Sequence, residues 1–503
     1  MNENKRKHSY DIWKSILGEH SVIAAGNIIE QYQSNITEYH SRHIPIILRP
    51  TSSEQLLDIV KVANQYRTPL YPISTGKNWG LGSRLPVISE CTIVDLSQLN
   101  SIIAVNERFR YAIIEPGVTQ KQLSDHLRAI GSSLILNVTG SGEDTSVIGN
   151  VLERGVGALD HRIRDLLGME VILGNGNIVR TGYWHFYNES NDNSHVAYYP
   201  YGIGPDLNGL FTQSNLGIVT KIIIRLVKYQ SRTGAYFFFP EKHLASVIDT
   251  LHSLREEQVI VGSHIVTEVK DPRTVETVTV DFSQPTPLWF SSMMMSRCNA
   301  MRSVAMKEVE NQLCKFTTQL HFFDTTDPDQ IFKNDYVRIM AQMMHGIPTN
   351  YSLETMAKMT RHSLTKLNID LDPQMPGFVC ALLAIPFAGE QIVEIISQVR
   401  TISRMVDIDS YFNFVAIGDT AMEGFFRVFF DRSDEGQIAK AHRWNEQVYQ
   451  KLETIGIYPY RVNIEHMHHF VERRQDTFWQ LVRDIKGTLD PNDIIAPGRY
   501  APL

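Results

Sequence analysis

Pro72-Ile73-Ser74-Thr75-Gly76-Lys77-Asn78-Trp79-Gly80 runs from a strand-like stretch into a loop of small and flexible residues. Consecutive backbone N–H groups in such a loop can form a nest for a diphosphate. It is not a P-loop, because Gly76-Lys77 lacks the preceding spacing and a following Ser or Thr. Gly140-Ser141-Gly142-Glu143-Asp144-Thr145-Ser146-Val147-Ile148-Gly149-Asn150 opens as a dinucleotide fingerprint, but Thr145 stands where the third glycine belongs. That argues against a nicotinamide site, while its small residues still suit close backbone approach to a cofactor. Leu210-Phe211-Thr212-Gln213-Ser214-Asn215-Leu216-Gly217-Ile218-Val219-Thr220 reads as a turn into a strand. Taken singly, each segment is equally an ordinary turn. His466, His468 and His469 match no zinc spacing, so a solvated helix face is expected there and no metal site. Cys91, Cys298, Cys314 and Cys380 are scattered, as expected of reduced, mostly buried thiols.

Elements able to position these loops are legible around them. Thr51-Ser52-Ser53-Glu54 predicts a capped helix start, with Leu56, Ile59, Val60 and Ala63 on one face. Strands are predicted over Leu70–Ser74, Thr92–Leu96 and Tyr111–Glu115. Thr119 and Gln122 open a second helix, and Gly131 closes it. Asn175-Gly176 predicts a hairpin between Met169–Leu173 and Ile178–Arg180. A β-branched strand follows over Gly217–Val227. This is an α+β pattern without the alternation of a doubly wound sheet. Beyond Thr233 longer amphipathic segments appear, such as Leu244–Glu256 and Ser303–Leu320, mixed with aromatic strands such as Phe426–Phe430. Met293-Met294-Met295 reads as core. Asn188–Ser194 is too short for a domain linker.

The chain has 503 residues, enough for two domains, with 43% hydrophobic and 20% charged residues. A net charge of -7 with interspersed signs gives no reason to expect nucleic acid or anionic lipid as a partner. Met1–Ser15 lacks a secretory pattern and no apolar stretch suits a membrane span, so a soluble cytoplasmic protein is expected.

The three loops, in order, resemble the FAD-binding domain of the vanillyl-alcohol oxidase and p-cresol methylhydroxylase family. Further matching segments are Arg49-Pro50, Ile114-Glu115-Pro116-Gly117-Val118-Thr119, Glu153-Arg154-Gly155-Val156-Gly157, Gly168-Met169-Glu170-Val171 and Arg180-Thr181-Gly182. Asp490-Pro491-Asn492-Asp493-Ile494-Ile495-Ala496-Pro497-Gly498-Arg499 is similar to the family's closing motif. The resemblance covers residues 40–230 and 455–503 strongly. It implies an FAD-binding domain of two α+β subdomains over 1–232, a cap over 233–454 built on an antiparallel sheet with flanking helices, and a return to the FAD domain over 455–503. Ser74, Thr75, Gly76, Lys77, Asn78 and Trp79 would cradle the diphosphate. Ser141, Thr145, Ser146, Gly149 and Asn150 would line the FAD, with Ile218, Val219 and Arg499 nearby. Where relatives link FAD covalently through histidine, this chain has Glu423 or Asn78, so noncovalent FAD is expected.

The resemblance also supplies candidate catalytic residues. Tyr460-Arg461 matches the pair that holds a phenolate, and an arginine there can stabilise an oxyanion. The alternative is that Arg461 pairs with a carboxylate at a domain junction. The family's second phenol-binding tyrosine is replaced by Leu81. Asp160-His161 resembles the segment carrying an active-site aspartate, in an interval two residues shorter. Either side chain could act as a base, and an Asp160–Arg164 helix pair is the competing reading. Glu423 faces the flavin edge or the cavity.

The expected activity is FAD-dependent removal of hydride from a C–H bond of an aromatic, phenolic or alcohol-type small molecule. Oxygen or another oxidant would be the acceptor, and a homodimer the assembly. The alternatives are a tailoring flavoenzyme acting on a specialised metabolite, by oxidative cyclisation or non-phenolic oxidation, and a non-redox FAD-binding protein.

Overall fold

The computed structural model describes residues 3–186, 198–270, 287–295, 299–317, 319–327, 330, 335–359, 370–374, 376–416, 418–472 and 476–502. The loop expected at Asn188–Ser194 and the thiol of Cys298 lie outside them.

Two small sheets carry the N-terminal part. In the first, Val22–Ile23, Ile47–Leu48, Thr92–Asp95 and Leu70–Ile73 lie side by side, the last three running parallel. The helix Ser53–Tyr66 buries Leu56, Ile59, Val60 and Ala63. Its cap is Ser52, whose side chain accepts from the Gln55 N–H, while Gln55 Oε1 accepts from the Thr51 N–H at 2.8 Å. The capping box is thus set one residue later than the sequence pattern suggests. A glutamine closes it as well as a glutamate, because only an acceptor oxygen is needed.

The second sheet is antiparallel, in the order Ile102–Asn106, Tyr111–Ile114, Ile218–Arg225, Leu166–Ile172 and Ile178–Arg180. Asn175-Gly176 turns the last hairpin, with Gly176 at φ +85°. The helix Gln120–Ala129 is capped by Thr119 through the Gln122 N–H and stops before Gly131 at φ +66°. Its Leu123 and Leu127 pack with Ile114, Ile148 and Ile222 in a core of their own.

The third sheet is eight-stranded and antiparallel among the described residues. Its order is Leu320–Asp324, Thr233–Pro240, Leu288–Met295, Ile260–Val269, Ser410–Ala416, Ala421–Phe430, Gly377–Pro386 and Tyr458–Arg461. Strand alternation gives it two faces. Val379, Ala381, Leu383 and Ile385 pack with Ile392, Ile396, Trp444 and Val448 of the helices Gly389–Val406 and Glu435–Glu453. Phe378, Cys380 and Leu382 point the other way, into a cavity.

Two elements differ from the sequence pattern. The segment Ser303–Leu320 is helical only within Arg302–Leu313, and Leu320–Asp324 pairs as an edge strand with Thr233–Pro240. Cross-strand packing overrides helical periodicity there. The first strand after residue 455, Tyr458–Arg461, still belongs to this large sheet and covers its edge beside Gly377–Pro386. The chain then returns to the first sheet. Leu70 donates to Ile494 O and Ala496 donates to Leu70 O, each at 2.7 Å.

Candidate active site

A cavity of about 640 Å³ runs between the two N-terminal subdomains and the large sheet. Each cofactor position read from the sequence lines it: Ser74 to Trp79, Ser141, Thr145, Ser146, Gly149, Asn150, Ile218, Val219 and Arg499. The strand Leu70–Ile73 delivers the first loop. Gly76 adopts φ +69°, and the N–H groups of Thr75, Gly76, Lys77 and Asn78 make no backbone hydrogen bond among the described residues. Such free, closely spaced donors form a nest for an anion.

The second loop is knitted to the first. Ser146 N–H donates to Thr75 Oγ1 at 3.2 Å, and Ser146 Oγ accepts from the Gly149 N–H at 3.0 Å. A Cβ on Gly149 would lie 2.6 Å from Ser74 Oγ, so any larger residue there requires the Ser74 hydroxyl to shift. Thr145 Oγ1 donates to Ser141 O at 2.7 Å.

Among the described residues, the buried polar atoms of cavity-lining residues without a hydrogen-bond partner include Trp79 Nε1, Asn150 Oδ1 and Asn215 Oδ1 beside the cofactor loops. Buried polar groups are rarely left so, and a bound polar ligand would satisfy them. Lys77 stands 3.5 Å from Asp144, and burial lowers its pKa against that charge. Nest, glycine contact and orphaned donors and acceptors together fit a dinucleotide such as FAD.

Tyr460 and Arg461 also line the cavity. Arg461 Nη2 donates to Asn78 Oδ1 at 2.8 Å, and its Nε lies 3.6 Å from Glu153 Oε2. Glu153 is shared with Arg499, which also donates to Tyr71 Oη at 2.7 Å. Burial opposes ionisation of Glu153, but Arg499 and Arg461 outweigh it and hold the carboxyl below its ordinary range. The ion pair weighed for Arg461 therefore exists, while its guanidinium still borders the cavity.

Burial, then the charge of Glu423, pushes the Tyr460 hydroxyl well above its usual pKa. Glu423 Oε1 lies 3.0 Å from His161 Nε2. Tyr460, Glu423 and His161 thus lie in a chain in which His161 bonds Glu423 and Tyr460 feels its charge, while Glu423 Oε2 is buried without a hydrogen-bond partner among the described residues; Glu423 and His161 are not themselves lining residues. Asp160 turns elsewhere: its carboxylate lies 3.2 Å from Arg164 Nη1 and 3.8 Å from Arg225 Nη2. The i,i+4 arrangement expected of Asp160 and Arg164 is what forms, and Asp160 is not among the residues lining the cavity.

Two groups escaped the sequence reading as site residues. Glu153 lay within a matching motif, but its bond to Arg499 spans 346 residues. Arg427 lines the cavity from the strand Ala421–Phe430. A lone arginine within Phe425-Phe426-Arg427-Val428-Phe429-Phe430 was the available signal.

Among the described residues no group of three His, Cys, Asp or Glu side chains could hold a metal. His466, His468 and His469 border a separate cavity of about 430 Å³. No helix among those residues is long and apolar enough to cross a membrane.

Residues 44–182 match the family described as FAD binding domain. The chain is 28% identical to 1'-carboxy-chondrochloren decarboxylase of Chondromyces crocatus, covering 92% of this chain and 91% of that protein. It is 24% identical to the flavoprotein subunit of 4-cresol dehydrogenase [hydroxylating] of Pseudomonas putida, covering 97% and 94%. The crystal structure of p-cresol methylhydroxylase with substrate bound superposes with a TM-score of 0.87 at 22% identity, covering 99% of this chain and 97% of that one. The chain resembles the vanillyl-alcohol oxidase and p-cresol methylhydroxylase family. It is an FAD-dependent oxidoreductase whose two-subdomain FAD-binding architecture and large antiparallel sheet match the fold of p-cresol methylhydroxylase. In this flavoprotein the three loops read from the sequence and the inner face of the large sheet line one cavity.

Proposed function

We propose that this flavoprotein removes hydride from a C–H bond of an aromatic or alcohol-type small molecule. The observation that carries the proposal is the single cavity joining the diphosphate nest to Tyr460, Arg461 and the inner face of the cap sheet. FAD, when bound, supplies a two-electron acceptor at N5. Arg461 offers positive charge to a substrate oxygen. The Tyr460 oxygen accepts the substrate's hydroxyl proton while its own proton passes to Glu423. His161, partly exposed at the end of the chain, relays that charge outward. Proton and hydride together account for a two-electron oxidation.

The same proposal takes FAD as noncovalently held, because Glu423 and Asn78 stand where relatives carry linking residues. It divides the chain into an FAD domain over 1–232, a cap over 233–454 and a C-terminal return over 455–503; the separate sheets support the first boundary, while Tyr458–Arg461 still pairs with the cap sheet before the chain returns. Oxygen or another oxidant serves as acceptor, with a homodimer in the cytoplasm as the working form. Oxygen uptake, light scattering and cell fractionation test these separately.

A second reading, oxidative tailoring of a specialised metabolite, is favoured by Leu81 where a phenol-binding tyrosine belongs and by the decarboxylase among the relatives.

The deciding experiment is the visible spectrum of the purified protein before and after acid precipitation, followed by anaerobic mixing with 4-alkylphenols and benzylic alcohols. Flavin bands released into the supernatant, then bleached by a substrate in the intact protein, are the expected result. Colour retained in the pellet would refute noncovalent binding. Dithionite reduction without bleaching by any candidate would favour the non-redox alternative.

A further inference from the structure

Among the described residues Arg427 has no counter-ion. It sits on the cavity-facing side of Ala421–Phe430, in line with Glu423, Phe425 and Phe429, while Met422, Phe426, Val428 and Phe430 pack into the helix-side core. Strand register places it directly between Cys380 on one neighbour and Tyr411 on the other. Neither carries a negative charge at neutral pH. Burial pushes the Cys380 thiol up to about 12, and Arg427 and Arg461 only partly offset this. Arg427 Nε is buried without a hydrogen-bond partner.

The other cationic lining residues differ. Lys77 has Asp144, and Arg461 and Arg499 share Glu153. Among the described residues no carboxylate lies within ion-pair distance of Arg427. Lone buried charges are costly, so a protein that keeps one leaves its partner to be supplied from outside.

The surroundings place that partner at the substrate end. Cys380 belongs to an apolar cluster with Leu81, Phe378 and Leu382, against which Tyr460 and Phe425 pack. The Phe425 and Tyr460 ring centroids are 6.3 Å apart. Leu81, which stands where a hydroxyl would otherwise hold substrate oxygen, therefore shares this wall with Arg427.

We propose that Arg427 anchors a carboxylate carried by the substrate; the inference rests on the oxidoreductase reading and names its substrate class. A guanidinium presents two parallel N–H donors that match two carboxylate oxygens. A carboxylate is also already ionised at neutral pH, whereas a phenol with a pKa of about 10 is not. The substrate class is thus an aromatic or alcohol-type acid, held by its carboxylate at Arg427 while Tyr460 and Arg461 engage the oxidisable end.

The test titrates the FAD-loaded protein with benzoate, phenylacetate, 3-phenylpropionate and their primary amides, read through perturbation of flavin absorbance. The acids are expected to bind at least about tenfold more tightly than the amides, and Arg427→Met to weaken acid binding roughly 10- to 100-fold while sparing the amides. Arg427→Lys should keep part of the preference, and both variants should retain FAD.

Equal binding of acids and amides, or undiminished acid binding by Arg427→Met, overturns the proposal. So does FAD loss from both variants, which would assign Arg427 to the cofactor. Binding of 4-methylphenol alone, tightening toward pH 10, overturns the carboxylate in favour of a phenolate. If the protein purifies without flavin, the same acid and amide comparison is read as a ligand-induced rise in Tm. Absence of flavin then counts against the oxidoreductase reading, while the anchor is still decided.

Discussion

At the residue scale, two bases compete, and their surroundings separate them. Glu423 bonds His161 and its charge acts on Tyr460, so in the proposed relay neutralising it breaks the proton path at its middle. Asp160 spends its charge on Arg164 and Arg225. Glu423→Gln is expected to lower kcat about 10²- to 10⁴-fold with FAD retained, and Asp160→Asn to change it by less than about threefold. Stopped-flow flavin reduction measures both; equal losses would reject the relay. Arg461→Met should cost about 10²-fold in kcat/KM, the scale of one oxyanion-stabilising donor, without releasing FAD.

At the scale of elements, the cofactor loops depend on contacts made between segments distant in sequence. Gly149 lets its helix approach Ser74, and a methyl group there would meet Ser74 Oγ at 2.6 Å. Gly149→Ala is expected to weaken FAD retention on gel filtration, and adding Ser74→Ala should recover part of it by removing the atom in the way. The C-terminal return has its own clamp. Lys486 Nζ donates to Asp490 Oδ2 at 2.6 Å and to Asn215 O and Ile495 O at 2.8 Å, all buried. Lys486→Met leaves these acceptors unsatisfied and should destabilise by about 3–5 kcal/mol. A Tm for the holoprotein unchanged within about one degree would contradict the clamp.

At the scale of the whole molecule, Asp372 ties three distant stretches of chain together. It accepts from the Ile36 N–H at 2.9 Å and from Ser83 Oγ at 2.5 Å, and lies 3.4 Å from Arg84. Burial nonetheless pushes its carboxyl up to about 6, with Ser83 and Arg84 only partly opposing the shift. A carboxyl raised in the folded state stabilises fully below its unfolded pKa and loses that contribution as pH rises through about 6. The shift corresponds to about 3 kcal/mol. Between pH 4 and pH 7 the stability of Asp372→Asn relative to wild type should therefore rise by about that amount. Urea unfolding at the two pH values measures it, and a constant difference would show that Asp372 titrates normally.

The cofactor half of this site was legible because it is local. Ser74 to Trp79 and Ser141 to Asn150 are short runs whose glycines and hydroxyls act where they stand, so their order along the chain carried the family resemblance that implied FAD. The capped helices and the Asn175-Gly176 hairpin were legible for the same reason: a cap or tight turn is decided within four residues. The substrate half was not. His161 meets Glu423 across 262 positions, and Arg461 meets Asn78 across 383. Whether Asp160 faced the cavity or Arg164 depended on how its segment packed. That Arg427 has no counter-ion depends on the register of three strands, which sets Cys380 and Tyr411 beside it. A one-residue slip would turn the arginine to the other face. Local segments thus carried the resemblance that implied the cofactor, and only long-range strand pairing decided which charges meet and which one is left for a ligand.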